Sequence, residues 1–160
     1  MIRLFIVLIA TLLIQGCAVK PVQRIPFPVS EYNSLQKEGT GVVVGQAFLR
    51  TRGGDIKTAA GQDVFLNPIT SYSKQWYNVA YKEKKPMTEP DPLYSDYIYT
   101  KVADADGRFT FKDVPPGDYY LTTNVLWEIP AGYSMVKQGG LVTKKITVTN
   151  GETVEIILTW

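Results

Sequence analysis

The sequence predicts an all-β fold, an antiparallel sandwich of seven short strands behind an export signal and a proline-rich tether. Three observations predict it. From Gly41 onward, short runs rich in Val, Ile, Phe, Tyr and Thr are broken repeatedly by Gly, Pro, Asn and Asp, the punctuation of many short strands. Near the C-terminus the alternation is explicit: Ile146 and Val148 are interleaved with Lys145, Thr147 and Thr149, and Val154 and Ile156 with Thr153 and Glu155. A period of two gives each of these strands one wet face. Between them stands Asn150-Gly151, a strong hairpin signal because both residues tolerate positive φ.

The elements follow in chain order. Arg3 and the eleven residues Leu4 to Ile14, apolar except for Thr11, have the layout of an export signal. The run is too short to span a bilayer, which takes roughly 20 apolar residues. Ile14-Gln15-Gly16-Cys17 then resembles the bacterial lipobox, although Gln15 departs from the small residue usual at its place. The resemblance implies cleavage after residue 16 and acylation of Cys17, the only cysteine in the chain. Ala18 rather than Asp after that cysteine implies, by the same resemblance, the outer membrane of a Gram-negative host. Acyl chains on Cys17 exceed the two signals that stable anchoring requires.

Residues 18–40 carry Pro21, Pro26 and Pro28 without a sustained period, so 17–40 reads as a lipidated cysteine and an extended tether. A simpler alternative lays Ile25, Phe27 and Val29 against the domain as an edge segment. The sandwich occupies 41–160. Its strands are expected around Val42–Leu49, Val64–Leu66, Tyr97–Val102, Phe109–Val114, Tyr119–Leu126, Leu141–Thr149 and Thr153–Leu158, with the last two as a closing hairpin and residues 127–140 as the loop before it.

About 70–96 interrupts this pattern. Tyr72, Trp76 and Val79, with Lys82, fall on one helical face by i, i+4, i+7 spacing, until Pro86, Pro90 and Pro92 end the helix. Tyrosines with a polar tip are enriched at interfaces and stack on sugars. Tyr72, Trp76, Tyr77 and Tyr81 are therefore the candidate contact residues, set against the plainer reading that their rings pack on an open side of the sandwich.

The stretch Ala103-Asp104-Ala105-Asp106-Gly107-Arg108-Phe109-Thr110-Phe111, followed by Val114-Pro115-Pro116-Gly117-Asp118-Tyr119-Tyr120-Leu121, resembles the carboxypeptidase regulatory-like domain, a prealbumin-like (transthyretin-like) seven-strand sandwich. The resemblance covers roughly 41–158, with 70–96 as an insertion, and implies an accessory module rather than a reacting one. The residues alone say that Asp106-Gly107 and Pro115-Pro116-Gly117 reverse the chain, while Phe109 and Phe111 share one face and Tyr119 and Leu121 another. Asp104, Asp106 and Gly107 also invite a calcium reading. Aligning Gly107 to the sixth place of a calcium loop puts Val102 at the first, where no side-chain oxygen is available, so a plain β-turn is favoured.

Chemistry has few members to work with. The chain has no histidine, and no phosphate-binding glycine loop has the required spacing, so no catalytic residue, metal ligand or cofactor is expected. Without Arg3 the 17 basic side chains become 16, against 15 acidic, and nucleic acid is an unlikely partner for so even a balance. The expectation is a non-catalytic lipoprotein facing the periplasm, or displayed at the cell surface, that contacts another envelope protein. The alternative is glycan binding through Tyr72, Trp76, Tyr77 or Trp127.

Overall fold

A computed structural model describes residues 20–160. The export signal and Cys17 lie outside the described residues. The body is a β-sandwich of two four-stranded sheets. One sheet runs β2 (Ile56–Thr58), β1 (Gly41–Arg50), β5 (Arg108–Val114), with β8 (Thr153–Leu158) also paired to β1. The other runs β4 (Tyr99–Val102), β3 (Asp63–Pro68), β6 (Gly117–Ala131), β7 (Ser134–Val148), antiparallel throughout. Eight strands replace the expected seven. The additional one is β2, whose three residues pair with the far end of β1 and are too few to show a period.

The core lies between the sheets, and the period-two expectations place it correctly. Val43, Ala47 and Leu49 of β1, Phe109 and Phe111 of β5, Tyr119 and Leu121 of β6, and Ile146 and Val148 of β7 all point into it. Each large apolar side chain buried there contributes about 1.5–3 kcal/mol. At the corner before β6, the Tyr119 hydroxyl donates to the carbonyl of Pro115 at 2.8 Å, which satisfies the one polar atom its burial brings inside.

Two connections differ from expectation. The strands on either side of Asn150-Gly151 do not form a hairpin: β7 pairs with β6, while β8 crosses to the other sheet and runs parallel to β1 from Val42↔Thr153 to Ala47↔Leu158. The turn is held by Thr40 instead. Thr40 N donates to Asn150 Oδ1 and Gly151 N donates to Thr40 Oγ1, both at 3.0 Å, so the turn chemistry serves a crossing between sheets.

The second difference is residues 127–140, which are strand and not loop. Pairing of β6 with β7 runs unbroken from Gly117↔Val148 to Ala131↔Ser134, making a ribbon whose outer half leaves the sandwich. Leu126, Ile129, Met135 and Val136 are exposed on it, and Tyr133 stands fully in solvent at its tip.

The segment expected to be a tether is folded down. Residues 20–37 cross the insertion and include a short helix, α1 (Val29–Asn33), so the edge-segment alternative describes it better. Gln23 O accepts from Gln75 Nε2 at 3.0 Å, and Ile25 N donates to Gln75 Oε1 at 2.9 Å. Tyr32 of α1 is wholly buried. Within the insertion, α2 (Ser71–Trp76) begins at a reciprocal cap between Thr70 and Ser73, and the Glu31 carboxylate accepts from Ser71 N at 2.9 Å. After Trp76 the helix widens into a π-helical turn, Tyr77–Lys82, and a 3-10 turn, Pro92–Tyr97, leads into β4.

Candidate functional site

The four aromatic candidates separate in space. Tyr72 is 1% exposed; its hydroxyl accepts from Asp91 N at 2.8 Å, and its ring meets Phe27 and Tyr94 edge-on. It is a packing residue and cannot stack on a ligand. Trp76, Tyr77 and Tyr81 are half-buried on the outer face of the second sheet, where Tyr77 lies flat on Tyr120 with centroids 4.5 Å apart and 15° between planes. Tyr81 stacks on Tyr77 at 5.3 Å and on Trp76 at 6.4 Å. Tyr120 of the sheet is met by two rings of this segment, Tyr77 flat upon it and Trp76 edge-on at 6.3 Å. Lys82 sits 5.0 Å above Tyr77 and Lys84 4.5 Å above Tyr81, so ammonium groups lie over these ring faces. Trp127 is half-buried against the core.

A different place has the shape of a binding site. A groove of about 470 Å³ opens where the chain after α1, the 3-10 turn with the start of β4, and the Pro116–Tyr119 corner converge. Its apolar wall is Leu35, Ile98 and the rings of Tyr97 and Tyr99; its polar groups are Gln36, Lys37, Asp96 and Asp118.

Each wall is fixed from behind. Tyr97 packs on Tyr32 at 4.8 Å and its hydroxyl donates to Asn33 Oδ1 at 3.1 Å, while Asp118 Oδ1 accepts from Thr147 Oγ1 at 2.6 Å. Burial pushes the Tyr99 and Tyr119 phenols above their ordinary value, so they stay neutral over the physiological range. Aromatic side chains beside carboxylate, amide and ammonium groups suit a small ring with an apolar face and polar edges. Among the described residues, no histidine, cysteine, serine or threonine lines the groove, and no three of His, Cys, Asp and Glu gather as a metal would require.

The acidic turn binds itself. Asp104 Oδ1 accepts from Asp106 N at 2.9 Å and from Arg108 N at 2.8 Å, which closes the turn on itself. Gly107 holds φ +75°, and a Cβ there would lie 2.4 Å from Ala47 O. The β-turn reading of this motif therefore describes it.

No protein-family model and no curated protein matches the chain. A solved structure does: a Pseudomonas aeruginosa protein, provisionally described as a carbohydrate binding protein, is 30% identical with a TM-score of 0.76, over 86% of this chain and 99% of that one. The chain belongs to that protein's family. A match over 86% is longer than everything from Gly41 to Trp160, so the likeness reaches into the segment that the sequence suggested was tether.

In this family member, then, the N-terminal segment is part of the folded unit that supplies Leu35, Gln36 and Lys37 to the groove. Sequence reasoning missed the groove because its walls come from three separated segments. The one available signal was the tyrosine-rich run Asp96-Tyr97-Ile98-Tyr99, which the reading assigned to the end of the insertion and a strand.

Proposed function

We propose that this protein is a non-catalytic carbohydrate-binding module of the bacterial envelope, anchored by acyl chains on Cys17 and facing the periplasm from the outer membrane. The observation that carries it is the groove, which Tyr97 and Tyr99 line beside the polar groups of Asp96, Asp118 and Gln36. The description of its Pseudomonas aeruginosa relative supports the same reading. The sandwich is of the prealbumin-like kind with β2 added at one edge. Sugar rings present an apolar face to aromatic side chains and hydroxyls to carboxylates and amides, which is the division of chemistry this groove offers.

Calorimetric titration against a panel of neutral and amino-sugar oligosaccharides tests it. One class should bind, and Asp96→Ala with Asp118→Asn, which keeps an oxygen for Thr147, should weaken it at least tenfold while the thermal midpoint holds. Binding unchanged by both substitutions would remove the groove from the function. Anchoring is tested separately: labelled palmitate should enter the parent chain and not Cys17→Ser.

A specific observation favours a second reading, contact with another envelope protein. The outer half of the β6–β7 ribbon exposes apolar side chains on both faces, Leu126 and Met135 on one and Ile129 and Val136 on the other, with Tyr133 at the tip. Cross-linking in intact cells from a photoreactive residue at position 133 should then yield one recurrent partner, and a ladder of abundant proteins would count against it.

A further inference from the structure

The chain enters the folded body at a fixed point. Val22 N donates to Pro86 O at 2.8 Å and Thr88 N donates to Val22 O at 3.0 Å, a parallel bridge that ties Val22 to Met87. Arg24 reinforces it, its backbone N donating to Thr88 Oγ1 at 3.2 Å and its Nε to Thr88 O at 2.7 Å. Cys17 lies five residues ahead of Val22. Fully extended, five residues reach at most about 18 Å. Whatever holds the sulfur of Cys17 therefore lies within about that distance of the bridge, at the end of the loop that runs from Lys82 to Met87.

That loop is basic. Lys82, Lys84 and Lys85 are exposed, as is Lys20 beside the point of entry; against them stand Glu83 and, next to the bridge, Glu89, so four positive charges less two negative leave +2. Glu83 is engaged with Lys85 at 2.7 Å. Next to the loop are the half-buried rings of Trp76 and Tyr81, residue types that favour the boundary between bilayer and water.

We propose that this face, Lys20 and the Lys82–Lys85 loop with Trp76 and Tyr81, lies on an anionic bilayer surface and holds the module flat on the membrane that its anchor enters. The proposal rests on the reading of Cys17 as the anchor. Its physical basis is the combination of short reach and local charge: the clamp at Val22 leaves too little chain for the domain to leave the surface, and lysines within a Debye length of anionic headgroups are attracted to them.

The test makes the tether chemically. The chain from Cys17 onward is coupled through that single thiol to maleimide lipid in vesicles containing about one third phosphatidylglycerol, and in vesicles of phosphatidylcholine alone. An amine-reactive reagent is applied at low ionic strength and each lysine is read by mass spectrometry. On the anionic vesicles Lys82, Lys84 and Lys85 should react several-fold more slowly than in the uncoupled protein, with Lys112 and Lys137 unchanged, and the protection should shrink on the neutral vesicles and in high salt. Equal reactivity at all five lysines, or protection that ignores lipid charge, would overturn the proposal. The coupling is independent of whether cells acylate Cys17, so failure here and failure of palmitate labelling are separate results.

Discussion

Tyr32 shows how one side chain joins the N-terminal segment to the body. It is fully buried, stacks on Phe27 with centroids 4.6 Å apart, meets Tyr97 and Tyr94, and accepts a hydrogen bond from Thr70 Oγ1 at 2.9 Å. Tyr32→Ala leaves a ring-sized cavity and should cost about 3–5 kcal/mol. Tyr32→Phe keeps the ring, loses one hydrogen bond and should cost about 1 kcal/mol. Urea denaturation separates the two, and limited proteolysis should cut Tyr32→Ala ahead of Leu35. Gly107→Ala is a second local test: the new methyl would meet Ala47 O at a positive φ, and strain of about 1–3 kcal/mol should lower the thermal midpoint by several degrees. The two sites differ in how far sequence reveals them. Asp104 to Arg108 form a turn whose donors and acceptors lie within four residues, so the sequence displays it. Thr70 is 38 residues from Tyr32, and no local pattern announces that pair.

At the scale of elements, period two identified strands by their buried faces and failed where no face is buried. The inner halves of β6 and β7 alternate around Leu121, Val125, Val142 and Ile146, and they were legible. Their outer halves are exposed on both faces, so residues 127–140 carried a loop's composition while forming a ladder. Asn150-Gly151 was legible as a turn but not as a crossing, because turn chemistry fixes local φ and says nothing about which strand the chain joins next. The Trp76–Tyr81 region was legible as a helix, though its widening was not; Tyr77, the first residue of the wide turn, stacks on Tyr120, 43 residues away in sequence. The ribbon yields a prediction of its own. Replacing Glu128–Lys137 with an Asn-Gly turn joins Trp127 to Gln138, which already face each other, and removes only exposed residues. Circular dichroism should then report an unchanged fold with a thermal midpoint within a few degrees of the parent, while cross-linking through the ribbon disappears. A midpoint lowered by ten degrees or more would mean that the ribbon stabilises the sandwich.

For the whole molecule, the sandwich was legible from its strands, whereas the layer that covers its outer face was not. That layer joins residues 20–37 to 70–97 through tyrosines, and its assembly has a measurable signature in pH. Burial raises the phenols of Tyr32, Tyr94 and Tyr119 above the ordinary value near 10, Tyr94 to about 12 and the other two further. Below pH 10 both folded and unfolded chains keep these phenols protonated, and the contribution to stability is complete. As pH rises past 10 the unfolded chain releases its protons first, so it binds fewer than the folded chain and stability falls through the folded values. Urea midpoints should therefore be flat from neutrality to about pH 10 and then drop. Tyr94 and Tyr32 belong to the covering layer and Tyr119 to the core. Tyr94→Phe should make the fall shallower by one titrating group while leaving the core's share in place, and a fall of unchanged steepness in Tyr94→Phe would show that the covering layer opens before the sandwich does.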